Sequence, residues 1–409
     1  MRGGRRHRRG CPRLGGEGLC GTRLHYDAGL AERLEPILGG PGGLCRELAA
    51  LEAPPPRLYV RVNTLRVDPR EYLDRLRSAG LPFHADPDIP EALWSPVEGP
   101  LPVPLRPLRV VADKRAAESV LMGSDLYAPG VLWAPRTLRR GDDVTIVAEN
   151  GVPVASGVAE MGYEELRRSR RGLAVRVTHP RFRAPRVRGL PGYGEGLIYG
   201  QSLPSIAAVR YLDPQPGWVI VDLTAAPGGK VSHAAQLAGP RSRVIAVDRP
   251  SKEALLRGTL ERLGLGWVEV VAGDSRRLPG PLAALAGRAD AVIVDPPCTN
   301  LGVRPKVYDR RSLGDSIAAA RYQRGFIAAA SRLLRPGGRM LYSVCTLTWD
   351  EGPANALRAI REHGLEPVEP PRWLASRAEP LDVGVLFRPA AHGTPGFYIA
   401  VLRKRGVTL

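Results

Sequence analysis

At 409 residues the chain is long enough for two or three domains with ample cores, and no apolar run approaches the roughly 20 residues a membrane helix needs. The formal net charge of +18 points to a polyanionic partner; only five of the 59 basic residues are lysines, and arginine's planar fork suits phosphate, though a GC-rich genome gives the same bias. Five widely spaced cysteines argue against a disulfide framework and for a reducing, cytoplasmic setting, and the Arg-rich start lacks the apolar core of a secretory signal.

Residues 1–24 are Arg/Gly-rich without apolar periodicity, so a disordered tail is expected. Cys11 and Cys20 have no second ligand pair nearby, and no metal site is expected there. Next, Leu30, Leu34, Ile37, Leu38, Leu48 and Leu51 predict two short helices broken by the glycine-rich run 39–43. Residues 58–65 alternate as a strand, and Asp68-Pro69-Arg70-Glu71 caps a helix that stops at Gly80. Together they predict a small α+β module over 25–104, either a structural appendage or an RNA-positioning surface.

Pro100, Pro102, Pro104 and Pro107 mark a boundary. Short β segments at 108–112, 130–133, 143–148, 152–161 and 173–178, with a helix at 116–121, predict a small barrel within 105–186. Residues 181–186 read as a linker. From 187 to 409, strands at 219–221, 244–247, 267–271, 291–294, 340–344 and 397–402 alternate with helices at 202–211, 230–237, 252–263, 316–334 and 352–363. That alternation predicts an α/β domain with a mostly parallel, doubly wound sheet.

Ligands bind outside the carboxyl ends of such strands, and three strand ends carry chemistry. Ala291-Val292-Ile293-Val294 runs into Asp295-Pro296-Pro297-Cys298, and Met340-Leu341-Tyr342-Ser343-Val344 runs into Cys345. Upstream, Asp222 leads through Thr224, Ala225, Ala226, Pro227, Gly228 and Gly229 to Lys230, with the logic of a nucleotide loop opening a helix. Its spacing is neither the dinucleotide fingerprint nor a P-loop. Asp248, ending the next strand, is placed to accept from ribose hydroxyls, and Asp274 either meets an adenine amino group or caps a turn. The three strand ends are expected to face one pocket for a nucleotide-like cofactor and a pyrimidine.

Two resemblances sharpen this. Val111-Ala112-Asp113, the run 123–131 and Arg140-Gly141-Asp142-Asp143-Val144 resemble a PUA domain, an RNA-binding module. Thr224-Ala225-Ala226-Pro227-Gly228-Gly229-Lys230, Asp295-Pro296-Pro297-Cys298 and Tyr342-Ser343-Val344-Cys345-Thr346 resemble the motifs of the Nop2/Sun (RsmB-like) RNA cytosine-5 methyltransferases, as do Arg61-Val62-Asn63-Thr64-Leu65 and His392-Gly393-Thr394-Pro395-Gly396-Phe397-Tyr398. Thr224, Val344 and Pro395 depart from the residues common there, and the run 348–353 is unusual.

The resemblance implies a Rossmann-like methyltransferase domain, S-adenosylmethionine as cofactor, and a tRNA partner modified at its acceptor end by a monomer without metal. It makes Cys345 the nucleophile on cytosine carbon 6 and gives Cys298 product release. Asp295 then holds the exocyclic amine and ring nitrogen 3, while Lys230 lies near the base and thiolate. Thr224 to Lys230, Asp248, Asp274 and Asp295 become the cofactor-binding set. A ribosomal RNA substrate or a non-catalytic RNA-binding scaffold are the alternatives; intact Lys230, Asp295, Cys298 and Cys345 argue against the scaffold.

Overall fold

In the computed structural model, which describes residues 18–406, the chain opens with β1 (Leu24–Tyr26), α1 (Ala28–Leu38) and α2 (Gly40–Leu51). Most of the segment expected to be a disordered tail lies outside the described residues, but residues 18–24 are ordered. A 3-10 turn, Leu19–Gly21, precedes β1, which pairs in parallel with Asp309–Arg311. Cys20 and Cys45 form a disulfide, correcting the expectation of unpaired cysteines. They come from separate elements that folding brings together, which spacing along the chain does not reveal.

The glycine run breaks the helices over two residues, with Gly40 at φ +77 beside Gly39. Gly39 takes the left-handed region at φ +86, and residues 40–43 form the first turn of α2 instead of a loop. Leu30, Leu34, Leu38, Leu44, Leu48 and Leu51 then bury against the large sheet described below. Both helices therefore pack in that core.

The module proper contains β2 (Arg57–Val62), α3 (Pro69–Ser78), β3 (His84–Ala85) and β4 (Ala92–Pro96). Asp68 caps α3 by accepting from Arg70 N at 2.8 Å. Tyr72, Leu73 and Leu76 of α3 share a buried cluster with Val60, Val62 and Leu93 of the sheet.

The barrel follows as β5 (Leu108–Ala112), α4 (Lys114–Leu121), β6 (Leu126–Tyr127), β7 (Val131–Trp133), β8 (Asp143–Ala148), β9 (Pro153–Ala159), α5 (Tyr163–Arg168) and β10 (Leu173–Pro180). Its strands run in the order β6-β10-β9-β8-β5-β7. Helix α5 was not foreseen: it buries only Leu166, too little for apolar periodicity. The expected linker is instead a paired exit, because Glu98 and Arg183 exchange backbone hydrogen bonds at 2.9 Å. Then β11 (Ile198–Gly200) joins β2, completing the module's sheet in the order β11-β2-β4-β3. The barrel is thus inserted into the module.

The remaining elements are α6 (Leu203–Leu212), β12 (Val219–Asp222), α7 (Gly229–Ala238), β13 (Arg243–Asp248), α8 (Pro250–Arg262), β14 (Glu269–Ala272), β15 (Ala289–Val294), β16 (Asp309–Arg311), α9 (Leu313–Leu333), β17 (Leu334–Val344), α10 (Pro353–His363), β18 (Leu365–Pro367), α11 (Arg372–Ala375), β19 (Glu379–Pro380), β20 (Val385–Phe387), α12 (Pro389–His392) and β21 (Phe397–Lys404). They build a nine-stranded sheet, β14-β13-β12-β15-β17-β21-β20-β19, with β18 on β21. Strands β14 to β17 are parallel and β21 is antiparallel to β17. Ala291 to Val294 are all buried, as expected of a parallel strand covered on both faces. One face carries α1, α2, α9 and α10; the other carries α6, α7 and α8. No described helix is long and apolar enough to cross a membrane.

Candidate active site

The turn from β12 to α7 forms one wall. Asp222 is fully buried and accepts from Thr224 N at 3.0 Å. Burial, reinforced by the nearby Asp295 and Asp248 carboxylates, pushes its pKa up to about 7. Thr224 Oγ1 accepts from Asp295 N at 2.8 Å, tying this turn to the end of β15. Gly228 stands at φ +114, and a Cβ there would meet Thr259 at 2.8 Å. Helix α7 starts at Gly229 with its first N–H groups unpaired by the helix. Arg61, buried in β2, donates to Gly229 O at 2.7 Å and to Ser232 Oγ at 2.7 Å, holding that turn from the small module.

The opposite wall carries the sulfurs. Cys298 and Cys345 lie with their sulfurs 3.1 Å apart. Their mutual hydrogen bond and burial push the Cys298 thiol well above its usual range. Lys230 Nζ donates to Asp295 Oδ2 at 2.7 Å, and Ser343 Oγ donates to Asp295 Oδ1 at 2.8 Å. Beneath both cysteine loops lies Glu351, fully buried. It accepts from Thr299 N at 2.9 Å, Thr299 Oγ1 at 2.6 Å, Gln323 Nε2 at 3.0 Å and Thr348 Oγ1 at 3.0 Å. Gly302 stitches a third loop to these two: Gly302 N donates to Cys345 O and Gly396 N to Gly302 O. A Cβ on Gly302 would come within 1.9 Å of Gly396 O, so only glycine fits.

Between the walls is a cleft of about 570 Å³. Thr224, Ala226 and Pro227 line one side, and Asp295, Cys298 and Cys345 the other. Ala225, Gly228, Gly229 and Lys230 do not line it. Asp248 faces the cleft while accepting from Ala226 N and Arg249 N at 2.8 Å each, leaving lone pairs free for a hydroxyl donor. Asp274 also lines it, but Arg276 grips the carboxylate at 2.6 and 2.9 Å and Asp274 caps the turn Ser275–Arg277. That arrangement matches its capping role directly. Arg276 in turn stacks on Tyr322 at 4.4 Å. Among the described residues no group of three or more His, Cys, Asp or Glu is placed to hold a metal ion.

The arrangement combines a helix start, a carboxylate with open lone pairs, a paired lysine and two facing thiols. The tRNA (cytosine(72)-C(5))-methyltransferase of Pyrococcus horikoshii is 41% identical over 365 residues, covering 87% of this chain and 91% of the relative. The chain belongs to the RsmB/F-like (Nop2/Sun) RNA cytosine-5 methyltransferase family. The model of the 16S rRNA methyltransferase RsmB/F family matches residues 209–403, the PUA domain residues 108–180, and the RsmF/B-like ferredoxin-like domain residues 43–103. The mouse tRNA (cytosine(72)-C(5))-methyltransferase NSUN6 is 29% identical, covering 79% of this chain and 75% of the relative. The crystal structure of NSun6 from Pyrococcus horikoshii with SFG superposes with a TM-score of 0.82 at 38% identity, covering 93% of this chain and 99% of that one.

Within this methyltransferase, several groups at the site were invisible from sequence alone. Arg61 was noted only as part of a motif, and Glu351 only as part of an unusual run. Arg115, on α4 of the barrel, reaches the catalytic cleft. Only the fold brings a barrel residue there, and no local pattern marks it.

Proposed function

We propose that this enzyme methylates carbon 5 of a cytosine at the tRNA acceptor end, using S-adenosylmethionine and a covalent adduct on Cys345. The N–H groups at the start of α7, the cleft wall of Thr224, Ala226 and Pro227 and the open lone pairs of Asp248 fit the carboxylate and ribose of that cofactor. When bound, S-adenosylmethionine supplies an electrophilic methyl group.

Carbon 5 of cytosine is a poor nucleophile. The Cys345 thiolate adds to carbon 6, and the ring electrons move toward carbon 5 and nitrogen 3. Asp295 holds the exocyclic amine and protonated nitrogen 3, and Lys230 keeps that carboxylate in place. Carbon 5 then takes the methyl group, loses its proton to a base, and the carbon 6–sulfur bond breaks to release Cys345. Cys298, whose thiol retains its proton, assists that release.

The observation that carries this reading is the 3.1 Å approach of the two sulfurs beside the Lys230–Asp295 pair. Cys345→Ala is expected to abolish methyl transfer, whereas Cys298→Ala accumulates an RNA–protein adduct on a denaturing gel. Ordinary turnover by Cys298→Ala would refute the division of roles.

The acceptor end is supported by α4. Arg115 lines the cleft, while Ser119 and Met122 line a groove on the barrel together with Tyr127. Positions i, i+4 and i+7 share one helix face and span about 10 Å at ~1.5 Å per residue. A single-stranded tail in the groove thus has a short route to the thiols. A base near a helix end also leaves its stack at least cost. Bisulfite sequencing of tRNA and ribosomal RNA from a deletion strain distinguishes the two substrate classes.

A further inference from the structure

The two sulfurs share a third polar neighbour that the mechanism above does not use. Asn300 Oδ1 lies 2.9 Å from Cys345 Sγ and 3.4 Å from Cys298 Sγ; with the Cys298 thiol donating to Cys345 Sγ at 3.1 Å, it accepts the Cys345 proton. Its backbone sits at φ +58, a region asparagine occupies more readily than most residues with a side chain. Buried charge fixes it there. Lys306 Nζ donates to Asn300 O at 2.9 Å, and Lys306, 4% exposed, pairs with Asp309 at 3.1 Å. Asp309 also takes Lys114 Nζ of the barrel at 2.9 Å. The amide is therefore presented to the sulfurs by a chain of contacts running back into another domain.

An acceptor suits a thiol but opposes a thiolate. A carboxamide resolves the conflict, because its oxygen and NH2 are nearly equal in shape and its terminal torsion is broad and two-fold. We propose that Asn300 is a positioning residue for the nucleophile: its oxygen accepts from the Cys345 thiol at rest, and a half-turn of the amide offers NH2 to the thiolate. The thiol proton passes to water at the open rim. This rests on Cys345 being the nucleophile. The other ionisable groups around the pair are Lys230 and Asp295 beside it, Glu351 beneath both loops, Lys306 behind Asn300 and Arg311 on Thr299 O, with Arg115, Asp248, Arg249, Lys252, Asp274 and Arg276 lining the same cleft.

The test is the pH profile of Cys345 alkylation by iodoacetamide, followed by peptide mass spectrometry on the full chain without RNA. Asn300→Asp keeps the shape but can only accept, so its profile should move to higher pH, with alkylation at neutral pH falling about tenfold. Asn300→Gly relaxes the backbone, removes the amide and should shift the profile less in the same direction, with an unchanged circular dichroism spectrum. Methyl transfer by Asn300→Asp should lose kcat rather than gain KM for RNA. Coincidence of the Asn300→Asp and parent alkylation profiles would overturn the proposal, as would a parent-like profile for Asn300→Gly. Methyl transfer surviving in Cys345→Ala would instead refute the mechanism, so the two failures are told apart.

Discussion

The two walls of the cleft are held in different ways. The cofactor wall is clamped by Arg61, a buried cation from the small module that burial lowers to about 9, still charged at neutral pH. It donates to main-chain and hydroxyl oxygens and so fixes a backbone turn. The thiol wall is clamped by Glu351, a buried carboxyl group within the methyltransferase domain, which gathers hydroxyls and an N–H from both cysteine loops. A helix start must present N–H groups outward, so its carbonyls are gripped from behind by a donor. Two loops that must hold sulfurs side by side are instead drawn onto one acceptor.

Substitutions can break this contrast. Glu351→Ala leaves a buried N–H and several hydroxyls without their acceptor, so it should destabilise the protein by about 3 kcal/mol, read by denaturant unfolding, and methyl transfer should fall even where the protein stays folded. Arg61→Lys cannot span Gly229 O and Ser232 Oγ together. It should raise KM for S-adenosylmethionine about tenfold, roughly one lost charge-assisted hydrogen bond, while leaving Cys345 alkylation unchanged. A changed alkylation rate in Arg61→Lys would mean the walls are not independent.

Asp222 gives a smaller, pH-dependent effect. Its folded pKa is raised, so the folded state holds a proton that the unfolded chain releases, and the stability it contributes is lost as pH rises from about 4 through about 7. Asp222→Asn removes that dependence while keeping an acceptor for Thr224 N. Its melting temperature relative to the parent should therefore be higher at pH 8 than at pH 5. Arg167→Ala, which breaks an exposed pair with Glu164, should change stability by less than about 0.5 kcal/mol.

The thiol wall was the more legible of the two from sequence. Ala291 to Val294 is an uninterrupted apolar run and Met340 to Val344 is interrupted only by Ser343, and the chemistry follows each directly, so strand and site could be read together. The agents that hold the walls were hidden because each is a single polar residue whose partners lie far along the chain. Arg61 meets Gly229, Glu351 meets Thr299, and Lys114 meets Asp309. The helices α1 and α2 were read correctly as helices, but their packing in the core of the large sheet was hidden, because an amphipathic stripe does not say which sheet it covers. The Cys20–Cys45 pair was missed because folding, not spacing along the chain, brings their elements together. Helix α5 was missed because one buried leucine leaves no period to detect.

The late arrival of β11 bears on how the chain is made. Val62 finds its partner Ile198 only after the whole barrel has been synthesised. On the ribosome the barrel, whose strands pair among themselves, has all its own residues available before the sheet that brackets it can close. Loop closure across such a separation is also slow. The barrel can therefore form before the sheet on either side of it closes, and before the methyltransferase domain that follows has been synthesised.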